Sequence, residues 1–287
     1  MKNQPSEVCV IMPVYNGAKT IELAIKSLLC QTYTQWNCVI VNDGSKDNTK
    51  QLLDAINDKR FKIIHLEKNR GRGFARQVAL ENATGDFLTY LDADDFYHPE
   101  KIEYQVEILE KLKDVFLVSC AQGSFDSNNK LLTIRGFKFS GIYDFKFGNA
   151  VKFIPVTSMI RLDKALKIKY NNNLNASEDV DYFSRYLDNN KFYIINKILY
   201  YYAEFESVSY SKAIEYDYNN IKAIFFVKAK LGFKQFFKSI TVAMVKSLAL
   251  IILYPFFGKK FFLKRRGFEA THDQQEEYLQ IRTQLQK

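Results

Sequence analysis

The sequence is poor in the features that mark several large protein classes. Its four cysteines (Cys9, Cys30, Cys38 and Cys120) stand far apart with no CxxC pair. That excludes a dense disulfide framework and a cysteine zinc site, and it leaves buried thiols in a reducing compartment. No GK[ST] phosphate loop occurs, and GRGFA at 71–75 follows Arg70 and opens a helix without the third glycine of a dinucleotide fingerprint. Neither an ATPase nor a nicotinamide enzyme is indicated. The first apolar run stops at Pro13, short of the long hydrophobic core of a secretory signal, so the expected location is cytoplasmic.

Acids are scarce in one region. Residues 211–268 hold 12 Lys/Arg against 2 acids (+10) and residues 269–287 hold 2 against 4 (−2), so residues 1–210 carry only +1 of the net +9. The basic residues of the tail interleave with Phe and Leu instead of forming a solvated face, which argues against a nucleic-acid partner.

What remains is an ordinary globular composition, 47% hydrophobic and 25% charged over 287 residues. That is enough for one large α/β domain with an appendage, or for two domains. Short β-branched or aromatic runs occur at VCVIM (8–12), WNCVIV (36–41), FKIIHL (61–66), FLTYL (87–91) and VFLVSC (115–120). Between them lie AKTIELAIKSLLCQ and PEKIEYQVEILEKL, with apolar residues three and four apart as in helices. Strands alternating with helices imply right-handed βαβ units in a parallel sheet. In such a sheet ligands bind at the carboxyl ends of the strands. The clusters PVYNG (13–17), NDGSKDNT (42–49) and DADD (92–95) all fall there, and one pocket can receive all three.

An apolar strand that ends in Asp92, Asp94 and Asp95 needs partners for its carboxylates. Near a strand end residues two apart point the same way, so Asp92 and Asp94 can converge. Oxygen ligands without His or Cys suit Mg²⁺ or Mn²⁺. Each candidate also has a structural reading: Asp43 as the start of an Asx turn before Gly44, Asp47 as a helix N-cap, Arg76 as a solvated helix residue, and Ser177 as the N-cap of a helix in SEDVDYFSRYLDNN.

The ordered set P-x-Y-N, DGS-x-D-x-T, G-x-x-x-AR and D-x-D, spread over residues 8–95, resembles the N-terminal half of the family 2 glycosyltransferases. The resemblance implies the GT-A fold: a Rossmann-like, mostly parallel sheet flanked by helices, here with a C-terminal helical extension. It further implies a nucleotide slot lined by Pro13, Val14 and Tyr15, with Asp43 on a uracil ring and Arg76 near the base and phosphates. Asp92, Ala93 and Asp94 would hold a Mg²⁺ or Mn²⁺ ion and the ribose-diphosphate of a UDP-sugar, with Asp94 the direct ligand. Asn42 replaces the first acid of the usual DDGS. Glu178-Asp179 match the family's E-D pair, which makes Asp179 the expected catalytic base.

The implied reaction is inverting transfer to a saccharide or lipid-linked saccharide acceptor in cell-surface polysaccharide synthesis. After the strand KFYIINKILYYY (191–202), relatives carry a stretch similar to YRIHxxSxS, whereas this chain has YAEFESVSYS, with Ala203 and Phe205 at the altered places and Ser209 and Lys212 nearby. That departure keeps open a second reading, a binding or scaffold protein on a transferase fold without turnover.

The expected division is a catalytic domain over 1–212, with a nucleotide-sugar half (1–115) and an acceptor half (116–212), followed by a basic, apolar helical extension over 213–287. Ser239 to Phe257 is apolar apart from Lys246 and a few small polar residues. The segment 213–268 is expected to contact the inner face of the cytoplasmic membrane peripherally, through amphipathic helices on anionic lipid. The alternative is a helical subdomain packed on the core. THDQQEEYLQIRTQLQK is expected to form a polar, frayed helix.

Overall fold

The computed structural model describes residues 4–136, 140–147, 151–171, 178–204 and 233–286, with Ile214, Tyr218 and Ile221 between them. The expected strands and helices of the first half form in order: β1 (Val8–Val14), α1 (Ile21–Leu29), β2 (Trp36–Asn42), α2 (Thr49–Asp54), β3 (Phe61–His65), α3 (Arg72–Glu81) and β4 (Phe87–Tyr90). Then come β5 (Phe96–Tyr97), α4 (Lys101–Lys111), β6 (Val115–Phe125), β7 (Leu131–Arg135), β8 (Gly141–Phe145), β9 (Met159–Arg161), α5 (Leu162–Ala165), α6 (Glu178–Leu187) and β10 (Asn190–Ala203).

Neighbours in the sheet run β3-β2-β1-β4-β9-β6-β10-β5, with β7 beside β6 and β8 beside β10. The pairs β3–β2, β2–β1, β1–β4 and β6–β10 are parallel. β9 lies antiparallel between β4 and β6, so the sheet is parallel in its first half and mixed in its second. Strand alternation divides the core. Val8, Val10, Met12 and Val14 face one side with α1 and α4, and Cys9 and Ile11 face the other with α3 and α6. The chain leaves β1 toward β2 and β3, then crosses back to β4 on the other side of β1. This reversal opens a crevice between the carboxyl ends of β1 and β4, where a doubly wound sheet holds its ligand.

The tail is two helices of different character. α7 (Phe233–Arg266) spans 34 residues, about 51 Å at the helical rise. Within it Phe236–Phe256 is long and apolar enough to cross a membrane. Ala243 and Leu250 are buried, whereas Phe237, Met244, Val245, Leu248, Ile251, Ile252 and Phe256 are exposed. Those positions recur three and four apart, so the exposed set forms one broad apolar face.

α8 (His272–Gln286) corrects the expectation of a frayed helix. Tyr278, Ile281 and Leu285 are buried against Phe96, Phe125 and Tyr201. Three apolar residues on one stripe suffice to dock an otherwise polar helix. Before it, Phe268 exchanges two backbone hydrogen bonds with Ile134 of β7, joining α8 to the sheet.

Candidate active site

The loop after β2 is stitched onto the loop after β1. The amides of Asn16, Gly17 and Ala18 donate to Ser45 Oγ, Thr49 Oγ1 and Asp47 Oδ2 at 2.9, 2.9 and 3.1 Å, and Lys46 N donates to Asn16 Oδ1 at 2.8 Å. Asp47 Oδ1 also accepts from the Thr49 amide in the first turn of α2, but the N-cap position falls on Asn48, so Asp47 braces the helix start from one residue before the cap and ties it to a second loop. Gly44, at φ +65, lies so close to the 68–69 backbone that a Cβ would stand 2.5 Å from the Lys68 carbonyl carbon. No other residue fits there. That approach lets Asp43 reach the next loop: its two carboxylate oxygens accept from the Arg70 and Gly71 amides at 2.8 and 2.9 Å. Asp43 therefore fixes the entry to α3; within its own loop the turn is held by Asn42, whose Oδ1 accepts from Ser45 N three residues on.

These loops enclose a cleft of about 560 Å³, lined among others by Pro13, Val14, Tyr15, Asp43, Asp92, Ala93 and Asp94. Of the expected binding residues, all but Arg76 line it.

The three acids of DADD meet three different environments. They occupy a turn, Asp95 N donating to the Asp92 carbonyl, so strand pleating is not what brings Asp92 and Asp94 to one cleft. Asp92 Oδ1 accepts from Arg76 Nη2 at 2.9 Å. Burial opposes its charge, but the guanidiniums of Arg76 and Arg72 outweigh that and hold it below the usual carboxylate range. Asp94 opens to the cleft and makes no ion pair with any described residue. The cleft walls strip enough water from it, and Asp92 adds enough negative charge, to push it up to about 6. Asp95 is fully buried and accepts from the Tyr200 hydroxyl at 2.6 Å and the Ala203 amide at 2.8 Å. Burial, then the charges of Asp94 and Asp92, raise its pKa well above the ordinary value. Asp95 thus ties the turn to the end of β10.

Arg76 is buried, not solvated, and sits behind the cleft. Besides Asp92 it reaches Glu178 Oε1 through Nη1 at 3.2 Å, and Arg72 Nε reaches the same oxygen at 2.9 Å. Glu178 is 1% exposed, so it serves as the anchor between α3 and α6. Its neighbour Asp179 accepts from Val180 N, and its pKa is raised by burial and by the Glu178 charge, with Arg76 and Arg72 pulling the other way. Asp181 is committed to Arg185 at 2.6 Å. Ser177, Phe205, Ser209 and Lys212 lie outside the described residues.

Sequence reasoning missed Arg72, Asn69, Thr20 and Tyr202, which also line the cleft. Arg72 was within reach, since it precedes Arg76 by four residues and shares its helix face. Tyr202 was not, because only the pairing of β10 with β6 and β5 brings it there.

Asp92 bonds Arg76 through Oδ1 alone, and the Asp94 carboxylate takes a hydrogen bond from its own backbone amide, leaving oxygen on both side chains facing the cleft. An oxygen-only pair at the edge of a polar cleft fits a hard divalent cation whose remaining ligands are water or phosphate oxygen.

The fold is that of the GT-A glycosyltransferases. TarS from S. aureus in complex with UDP aligns with a TM-score of 0.65 at 22% identity, covering 88% of this chain and 75% of that one. The mannosyltransferase PcManGT from Pyrobaculum calidifontis in complex with GDP-Man and Mn²⁺ aligns at 0.62 and 16%, covering 99% and 84%. The chain belongs to glycosyl transferase family 2, whose family model matches residues 9–168. Among named relatives, the UDP-Glc:alpha-D-GlcNAc-diphosphoundecaprenol beta-1,3-glucosyltransferase WfgD of Escherichia coli is 38% identical over 104 residues, 36% of this chain and 41% of that protein. The match spans between 17% and 41% of the length of several curated relatives, and 96% of one from Haemophilus influenzae at 28% identity.

Proposed function

We propose that this protein is an inverting, metal-dependent glycosyltransferase that moves a sugar from a UDP-sugar to a saccharide or lipid-linked saccharide in cell-surface polysaccharide synthesis. The observation that carries the reading is the convergence of Pro13–Tyr15, Asp43 and Asp92–Asp94 on one cleft at the reversal point of the sheet. Family membership and the UDP complex of TarS support a nucleotide-sugar donor, and the WfgD name supports a lipid-linked acceptor.

In this reading Pro13, Val14, Tyr15 and Asp43 seat the nucleoside, Arg76 holds Asp92 in place, and Asp94, with the free oxygen of Asp92, would hold Mg²⁺ or Mn²⁺. The ion, when bound, supplies positive charge that neutralises the departing diphosphate. Asp179 is the general base. It takes the proton of the acceptor hydroxyl as that oxygen bonds to the anomeric carbon, while the bond from that carbon to the diphosphate breaks on the opposite face and UDP leaves. The raised pKa of Asp179 makes it a better proton acceptor than an ordinary carboxylate.

In the same reading the protein sits peripherally on the cytoplasmic side of the membrane, which suits a lipid-linked acceptor and is supported by the exposed apolar face of α7.

Calorimetry with UDP, with and without Mn²⁺, tests the site. Asp94→Asn should abolish the metal-dependent part of UDP binding, because an amide is a poorer ligand for a hard cation. Equal UDP affinity in wild type and mutant would remove the metal assignment. A UDP-sugar panel that gives binding without turnover would point to the non-catalytic alternative.

A further inference from the structure

The cleft holds an imbalance of charge that the roles above do not resolve. Among the described residues three acids line it, Asp43, Asp92 and Asp94, against one cation, Arg72. Asp43 is occupied by the Arg70 and Gly71 amides and Asp92 by Arg76. Arg76 is spent on Asp92 and Glu178 behind the wall. An incoming diphosphate therefore meets Arg72 as the positive side chain of the cleft.

Arg72 is built to receive it. Its Nε is held by Glu178 at 2.9 Å, and the side chain is 55% exposed where Glu178 is 1% exposed. A buried carboxylate thus grips the inner edge of the guanidinium. The two terminal nitrogens make no hydrogen bond to another described residue, and the half-exposed side chain lines the cleft. An arginine fixed at Nε presents its terminal N–H groups as a planar fork, the geometry that engages two phosphate oxygens at once. Arg76 donates to the same oxygen, so Glu178 keeps a second hydrogen-bond partner while the terminal nitrogens of Arg72 engage a ligand.

We infer that Arg72 is the direct cationic contact for the diphosphate of the nucleotide-sugar donor, acting alongside the ion at Asp94 and independently of it. This deepens the donor reading above and rests on it.

The test is calorimetry on the full chain with uridine, UMP and UDP, each in Mn²⁺ and in EDTA. In Arg72→Gln, uridine binding should stay as in wild type while UDP binding weakens by roughly tenfold to a hundredfold, the range for a lost charge-assisted contact. The gap between UDP and UMP should shrink, in EDTA as well as in Mn²⁺. Arg72→Lys should recover part of the loss, because it restores the charge without the fork. Unchanged UDP affinity in Arg72→Gln overturns the inference. So do equal losses for uridine, UMP and UDP, which would mark Arg72 as a structural strut. A wild-type protein that binds no UDP defeats the donor reading itself, a result distinct from both.

Discussion

Arg76 Nη2 lies 2.9 Å from Asp92 Oδ1, both side chains largely withdrawn from water, and this pair joins the motif on α3 to the turn after β4. The same guanidinium reaches Glu178 at the start of α6. One arginine therefore gathers acids from both halves of the domain. Its own pKa is raised: burial works against the charge, and the attraction of Asp92 and other neighbouring groups more than offsets it.

Arg76→Gln should accordingly be a stability mutant before it is an activity mutant. Removing one partner leaves Asp92 and Glu178 charged in a dry setting, a loss of about 3–5 kcal/mol for a broken buried pair. Arg72 still reaches Glu178, so the lower end of that range is expected. Urea unfolding at neutral pH measures it, and a change below about 1 kcal/mol would show that water already solvates these acids.

The site was legible in sequence to the extent that its chemistry is local. PVYNG, NDGSKDNT and DADD could be placed at strand ends because strand periodicity is a short-range signal. Their neighbours were not legible. Asp95 meets Tyr200 from 105 residues away, and Arg76 meets Glu178 from 102 away. Such partners depend on sheet order, above all on β9 inserting antiparallel between β4 and β6, which no local pattern encodes. The docking of α8 was missed for a related reason: a stripe of Tyr278, Ile281 and Leu285 is thin beside the polar residues around it.

Asp179→Asn should leave UDP binding intact and lower transfer by roughly 10²- to 10⁴-fold, the usual loss for a general base. The raised pKa of Asp179 adds a pH signature. The base works only when ionised, so the wild-type rate should fall on the acid side at a higher pH than an ordinary aspartate would give. The mutant's residual rate should lack that limb. A pH–rate profile of kcat/KM from about pH 3 to 8 decides, a window that brackets the ordinary carboxylate pKa. Near-normal turnover in the mutant would move the base elsewhere.

Lys101 makes a stability prediction away from the cleft. It is fully buried, donates to Thr89 Oγ1 at 2.9 Å and Gln105 Oε1 at 2.7 Å, and has its pKa lowered by burial to about 7. Between that value and the unfolded one, the unfolded chain binds the proton and the folded chain does not. Stability from this group therefore rises with pH across that window, by about 1.4 kcal/mol per pH unit. Buried Cys9, Cys38 and Cys120 have raised pKa values and act oppositely once unfolded thiols ionise. The comparison thus belongs to the difference between wild type and Lys101→Met, from about pH 7 to 8.5, below the ordinary thiol pKa. Parallel stability curves for the two proteins would mean that Lys101 stays charged in the fold.

The two tail helices should answer to opposite measurements. Tyr278 of α8 is 0% exposed within an aromatic cluster, so Tyr278→Ala should cost about 3–5 kcal/mol, as for other large-to-small aromatic changes in a core. Val245, Leu248 and Ile252 of α7 are 61%, 58% and 51% exposed. Replacing all three by Ser should change stability in solution little, since surface substitutions usually fall within about 0.5 kcal/mol each. The same triple change should release the protein from anionic vesicles in a sedimentation assay, because it removes the apolar surface that enters the headgroup region. Salt should weaken the wild-type binding, as the attraction of the tail lysines to anionic lipid is screened within a Debye length. Failure of the wild type to sediment with vesicles at low salt would sink the membrane reading. Unfolding of the triple mutant would show instead that α7 packs against protein. Binding that resists both salt and alkaline extraction would mean that Phe236–Phe256 crosses the bilayer, for which its length of about 31 Å is sufficient.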